Sequence, residues 1–271
     1  MDILDKIISH KIKEVGERKS LYPQKLLEKT IYFNSPSVSL KKYLLRKDKV
    51  GIIAEIKRKS PSKGVINQYI SVERTSIGYM QGGASALSVL TDMEFFGGKN
   101  EDLTIARKFN YCPILRKDFI VDEYQIVEAK SIGADVILLI ANVLNPLRIK
   151  ELAILAKSLN LEVLLEVRDR VELMDSLNEY IDIVGVNNRN LKDFSVDLSR
   201  SFEMASLIPK EILKISESGI STVKAIQELK NVGYHGFLIG DAFMQHSRPE
   251  IACTNFVKEI LSEKKYLNQP V

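Results

Sequence analysis

The stretch GIIAEIKRKSPSKG, residues 51–64, opens as a short β-branched apolar run and then places Glu55 and Lys57 ahead of a Ser-Pro-Ser-Lys-Gly turn. Such a run reads as a buried strand. Side chains two apart on a strand point the same way, so Ile53, Glu55 and Lys57 share one face. A carboxylate and an ammonium entering a core at a strand end are costly to desolvate, which favours a site over an accident. The plain rival is an edge strand with a solvated Glu/Lys pair, and the rest of the chain decides between the two.

From residue 51 onward, apolar β-rich runs alternate with amphipathic stretches. The runs are Ile52 to Ile56, Ala86 to Leu90, Pro113 to Leu115, Val136 to Ile140, Glu162 to Leu165, Ile183 to Val186, Leu213 to Ser216 and Gly236 to Ile239. Helices are expected over Val72 to Gln81, Asn100 to Lys108, Asp122 to Ser131, Asn145 to Leu159, Arg170 to Glu179, Leu198 to Ile208, Ser221 to Asn231 and Arg248 to Leu261. Repeated β-then-α units indicate a parallel sheet, and eight of them close most economically as an α/β (β/α)8 TIM barrel. A doubly wound sheet would need a glycine-rich GxGxxG turn after the first strand, and none occurs there.

Ahead of the barrel, residues 1 to about 45 read as a helical extension. Ile3, Ile7, Ile8 and Ile12 form one stripe, and Leu26 and Leu27 begin another after Pro23. The connector Asn34-Ser35-Pro36-Ser37 precedes a short helix near Leu40 to Leu45. The whole chain, 1–271, is expected to be one barrel domain with this extension.

Composition narrows the function. With 39 basic and 35 acidic side chains, the net charge is +4 and the pI about 8.8. That balance suits anionic small molecules and is too weak and too dispersed for nucleic acid. Cys112 and Cys253 have no CxxC spacing and read as small buried hydrophobes. No signal peptide or membrane span is expected, which places the protein in the cytoplasm. No metal or organic cofactor is implied, since neither a ligand cluster nor a nucleotide fingerprint occurs.

Barrel enzymes carry their chemistry at the C-terminal ends of the strands. There the sequence offers Glu55 and Lys57, Thr91 and Asp92, Lys117 and Asp118, Asn142, Glu166, then Asn187, Asn188 and Arg189, then Glu217, Ser218 and Gly219, and finally Gly240 and Asp241. The strand starts are expected to be poor in ionisable groups. Parity selects Glu55, Lys57, Lys117, Glu166, Asn187 and Arg189 as the inward set, three positive and two negative, a small positive surplus for a polyanionic ligand. Ser218-Gly219 and Gly240-Asp241 lie after strands seven and eight, where barrels hold phosphate on free backbone N–H groups. Phe96 and Phe119, just beyond strands two and three, are candidate walls for a planar ring. His10, His235 and His246 all fall away from the strand ends, so acid–base chemistry rests on Lys and Glu with shifted pKa values.

Taken together, AEIKRKSPSKG, ALSVLTDMEFFGG, LRKDFIVDEYQI, LLEV, GVNNRNL, SESGI and FLIGDAFM, in order from about residue 51 to 244, resemble the indole-3-glycerol phosphate synthase family. The resemblance implies ring closure, decarboxylation and dehydration of 1-(2-carboxyphenylamino)-1-deoxyribulose 5-phosphate to indole-3-glycerol phosphate, and functional neighbours among the enzymes of tryptophan biosynthesis. It also implies that Lys117 is the general acid in ring closure and Glu166 its acid–base partner in the loss of water, with Glu55 orienting Lys117 and Lys57. Lys57 would hold the anionic ends of the substrate. Ser60, Asn187 and Arg189 would hold the carboxylate and sugar hydroxyls, and Ser218, Gly219, Gly240 and Asp241 the phosphate. Asp241 is expected to offer its backbone N–H while its carboxylate turns away or takes a neighbouring cation. A related barrel enzyme, phosphoribosylanthranilate isomerase, uses a Cys/Asp pair that the first strand here lacks.

Overall fold

Eight strands close on themselves in the computed structural model, which describes residues 2–267. Met1 and residues 268–271, included in the expected span of 1–271, lie outside the described residues. The strands are β1 (Ile52–Ile56), β2 (Ala86–Leu90), β3 (Ile114–Lys117), β4 (Val136–Ile140), β5 (Glu162–Val167), β6 (Ile183–Asn187), β7 (Leu213–Glu217) and β8 (Gly236–Ile239). Each pairs in parallel with the next, and β8 returns to β1 through Ala54 opposite Ile239. Helices connect them on the outside, so the fold is the (β/α)8 barrel.

The strands run on past the apolar runs. β3 reaches Lys117, β5 reaches Val167, β6 reaches Asn187 and β7 reaches Glu217. A polar side chain does not end a strand whose backbone still has partners: Lys117 lies opposite Leu90, Glu166 opposite Ile140 and Gly185, and Asn187 opposite Glu217. Lys117, Glu166 and Glu217 therefore stand on the sheet rather than on loops, which fixes their direction. The outer helices Arg170–Ser176 and Ser199–Ala205 are shorter than the periodicity suggests.

Inside the barrel, Ile53, Leu115, Leu138, Leu164, Ile183, Ile215 and Leu238 pack as one apolar cluster, and the extension contributes to both of its ends. Helix α1 (Ile3–Leu21) begins at a capping box between Asp2 and Asp5 and brings Leu4 and Ile7 to the mouth. Helix α2 (Gln24–Leu27) is a single turn with Leu26 exposed, so the expected second stripe does not extend into a longer helix. Helix α3 (Leu40–Leu44), capped by Ser39, inserts Leu40 and Leu44 into the floor. Between mouth and floor the chain follows the outer helix Glu123–Ser131, held by Thr30 Oγ1 donating to Ser131 O at 2.8 Å and Lys130 Nζ donating to Ser35 O at 2.9 Å.

The floor corrects one expectation: the strand starts are not poor in ionisable groups. Asp135 precedes β4, Glu162 opens β5 and Asp182 precedes β6. Their partners are backbone N–H groups of the extension and neighbouring strands, which the local sequence does not reveal. Asp135 accepts from Val38 N at 2.7 Å and Ile114 N at 2.8 Å, and Asp182 from Val163 N at 2.9 Å. Glu162 accepts from the Ser39 hydroxyl, Leu40 N at 2.8 Å and Lys41 N at 3.1 Å, completing the N-terminus of α3. Glu162→Ala should therefore lower unfolding free energy by about 1–3 kcal/mol, the scale of orphaning buried donors. A urea midpoint equal to wild type would show that α3 is held by packing alone.

Candidate active site

A cavity of about 440 Å³ opens at the C-terminal mouth, lined among others by Glu55, Lys57, Ser60, Phe96, Lys117, Phe119, Glu166, Asn187, Arg189, Ser218, Gly219, Gly240 and Asp241. The thirteen residues expected to act on or bind the substrate thus border one space, whereas Thr91, Asp92, Asn142 and Asn188 at the strand ends do not line it. The size is that of a small-ligand cleft. Ile3, Leu4 and Ile7 of α1 add an apolar wall on one side.

Lys117 is the centre of the polar floor. Its Nζ lies 2.8 Å from Glu166 Oε2 and 3.2 Å from Glu217 Oε2, and both carboxylates are buried. Glu166 also accepts from Asn187 Nδ2 at 2.9 Å through its other oxygen. Burial pulls the lysine down, but Glu166, Glu217 and Glu55 outweigh it and hold Lys117 above the ordinary lysine value. The two carboxylates part company. Burial acts to raise both, yet the closer ammonium and the Asn187 hydrogen bond take Glu166 below its usual range. Glu217 has the longer contact and faces the charge of Glu166, and burial pushes it up to about 7.

Glu217 was not in the inward set. The signal was present, since Leu213, Ile215 and Glu217 alternate on one strand face, but the Glu-Ser-Gly sequence reads as the start of a loop. Gly185 on β6 makes the space for it. A Cβ there would stand 2.3 Å from Glu217 Oε1, so only glycine allows the carboxylate its place beside Lys117.

A second ionic group lies nearer the rim. Lys57 Nζ bridges Glu55 Oε1 at 2.9 Å and Asp241 Oδ1 at 2.7 Å. Asp241 Oδ2 also meets Arg189 Nη2 at 3.2 Å and Lys63 Nζ at 3.4 Å. Its carboxylate thus takes neighbouring cations, three of them. Gly240 is needed for more than a turn, because a Cβ at that position would lie 2.3 Å from Glu55 Oε1.

These contacts also correct the charge expected of the cavity. Lys57, Lys63, Lys117 and Arg189 face Glu55, Asp118, Glu166, Glu217 and Asp241, so there is no formal positive surplus. Charge is segregated instead. Lys117 with its carboxylates occupies the floor, and Lys63, Arg189 and Lys57 gather around Asp241 at the rim. Beside that rim, Ser218 holds a left-handed backbone conformation with φ 67°, which a non-glycine residue adopts only under constraint. Phe96 and Phe119 face each other with centroids 6.0 Å apart.

The family model for indole-3-glycerol phosphate synthase matches residues 4–256. The chain belongs to the indole-3-glycerol phosphate synthase family. A relative of that name from Bacteroides thetaiotaomicron is 45% identical over 259 residues, covering 96% of this chain and 99% of its own. Another, from Thermoanaerobacter pseudethanolicus, is 41% identical over 257 residues, covering 95% and 98%. Among solved structures, 3-hexulose-6-phosphate synthase from Salmonella typhimurium aligns with a TM-score of 0.61 at 12% identity, over 78% of this chain and 99% of that one. At that identity the likeness speaks to the fold alone. Indole-3-glycerol phosphate synthases are carboxy-lyases of tryptophan biosynthesis acting on a phosphorylated small molecule, and the chain takes that reaction class with its family.

Gly185→Ala tests the floor geometry. The flexible end of Glu217 must yield to the new methyl group, so the variant should fold while kcat/KM falls by about 100-fold, the scale of a 1 Å misplacement. Wild-type kcat/KM in a folded variant would show that Glu217 need not sit where it does.

Proposed function

We propose that the cavity binds 1-(2-carboxyphenylamino)-1-deoxyribulose 5-phosphate and converts it to indole-3-glycerol phosphate, CO2 and water. The observation that carries this reading is an ammonium at the cavity floor held between two buried carboxylates of unlike pKa, in a cleft of the matching family with a cationic rim and an aromatic wall.

The chemistry has three parts. Attack of the carboxyl-bearing ring carbon on the ketone breaks aromaticity and places negative charge on the ketone oxygen. Lys117, charged and poised on the floor, donates the proton that quenches it. Loss of CO2 then restores the ring. Expulsion of the resulting hydroxyl as water needs a base for the adjacent carbon-bound proton and an acid for the leaving oxygen. Glu166, ionised by its contacts, is assigned as base, and Glu217, protonated for part of the time near neutral pH, supports Lys117 in returning the proton.

Binding roles follow the segregation of charge. Phe96 and Phe119, in contact with each other, form one wall against the anthranilate ring. Lys57, steered by Glu55, together with Ser60, Asn187 and Arg189, takes the carboxylate and the sugar-chain hydroxyls. Ser218, Gly219, Gly240 and the backbone of Asp241 take the phosphate, while the Asp241 side chain gathers Lys63 and Arg189 beside it. Positioning rather than a tight clamp suits the carboxylate, since strong neutralisation would oppose its departure. The reading includes no nucleic-acid partner, functional neighbours in the tryptophan pathway and a cytoplasmic setting, where charged phosphorylated metabolites are retained.

The sequence contains no Trp, so an indole product is detected against tyrosine emission alone. The wild-type protein should develop indole fluorescence on addition of the substrate, and Lys117→Ala should lower kcat by at least ~100-fold with KM little changed. Absence of product from the wild type would overturn the assignment, and near-normal turnover by the variant would remove Lys117 from the mechanism.

A further inference from the structure

Helix α1 buries Leu4, Ile7, Lys11 and Val15 along one stripe. Three of these are ordinary for a helix lying on an apolar surface. Lys11 is not: its side chain is only 1% exposed, and a buried ammonium is tolerated only when paired. Its Nζ lies 2.8 Å from Asp92 Oδ2, 3.0 Å from Asp118 Oδ1 and 2.8 Å from Glu14 Oε2. Asp92 and Asp118 are themselves buried. Lys11 does not border the cavity, and no role assigned above uses it.

Its two barrel partners stand at decisive points. Asp92 follows β2 and caps the short helix Met93–Phe96, its Oδ1 accepting from Phe95 N at 2.7 Å. Asp118 follows β3 between Lys117 and Phe119, and its Oδ1 accepts from Phe119 N at 2.8 Å. Asp118 also receives Arg116 Nη2 at 3.1 Å and the Thr91 hydroxyl. One ammonium, delivered from outside the barrel, therefore joins the two loops that carry Phe96 and Phe119. The same helix places Ile3, Leu4 and Ile7 on the cavity wall one to two turns away.

We propose that Lys11 is a positioning residue: it ties α1 to the loops after β2 and β3, and so fixes the paired rings of Phe96 and Phe119 as the wall against which the substrate ring packs. This rests on the functional reading above for what packs against that wall. Burial works against the charge on Lys11, but Asp118, Asp92 and Glu14 more than restore it, so the tie persists across the neutral range. Burial likewise opposes the charge on Asp118, and Lys11 and Arg116 bring it down to about 2. Lys117 depends on the tie far less, because Glu166 and Glu217 fix its ammonium directly. Loss of Lys11 should therefore appear in substrate binding more than in the chemical step.

The test is Lys11→Met in the full chain, which keeps length and removes charge, studied by amide hydrogen exchange and steady-state kinetics. Faster exchange confined to residues 3–21, 92–96 and 118–119, with KM raised about tenfold or more and kcat changed less than about threefold, is the expected result. A folded variant with wild-type exchange and KM overturns the proposal, as does lost kcat at unchanged KM. Should the methionine variant not fold, Asp92→Asn retains the cap on Phe95 N and removes one of the paired charges. A KM rise of the same sign supports the tie, and an unchanged KM overturns it. If the wild-type protein does not turn the substrate over, the functional reading fails separately. The exchange pattern then decides alone: local loosening supports the tie and wild-type rates overturn it.

Discussion

A single, largely covered ammonium shared by two buried carboxylates is the constraint from which the rest of the mouth follows. Drawing Lys117, Glu166 and Glu217 together out of water is expensive, and the cost is offset by the two ion pairs to Lys117 and by the Asn187 hydrogen bond to Glu166. That demand dictates neighbours that have no chemistry of their own. Asn187 must turn its amide toward Glu166, and position 185 must lack a side chain so that Glu217 has room. Strands, unlike loops, hold such a set in fixed directions, and all four of Lys117, Glu166, Asn187 and Glu217 stand on strands.

The same economy appears wherever the extension meets the barrel. At the floor, Asp135 and Glu162 have backbone N–H groups of the incoming chain as partners, so the segment before β1 is held by directed hydrogen bonds as well as by Leu40 and Leu44. At the mouth, the apolar contacts of Leu4 and Ile7 are joined by the buried charge of Lys11. Apolar contact alone would let a helix slide along a smooth surface. Ion pairs and hydrogen bonds with defined partners set its register, and the wall it gives the cavity then has a defined shape.

Much of this was legible in the sequence, and the limits of legibility have physical causes. Eight apolar runs gave the barrel, because a parallel strand buried on both faces must be apolar along its length. Strand parity placed Glu55, Lys57, Lys117, Glu166, Asn187 and Arg189 toward one space, which the structure shows them bordering. Parity carried past Ser216, as it is past Leu115 and Leu165, places Glu217 with Leu213 and Ile215. Ser218-Gly219 marks a turn, and Glu217 reads with that turn rather than with the strand. The floor acids were hidden for another reason. Asp135 and Glu162 are satisfied by backbone groups of the extension about a hundred residues away, and Asp182 by Val163 N and Lys157 of other elements, partners that no local pattern announces. Lys11 was hidden in the same way, as one more charge on an amphipathic helix whose partners lie after β2 and β3.

The electrostatic split between Glu166 and Glu217 is the claim on which the chemistry rests, and a carbon-13 NMR titration of the glutamate carboxylates measures it directly. With resonances assigned through Glu166→Gln and Glu217→Gln, Glu217 should titrate at about 7, while Glu166 stays ionised down through the ordinary carboxylate range. Two carboxylates titrating together at ordinary glutamate values would contradict the shared-lysine account and, with it, the division of roles on the cavity floor.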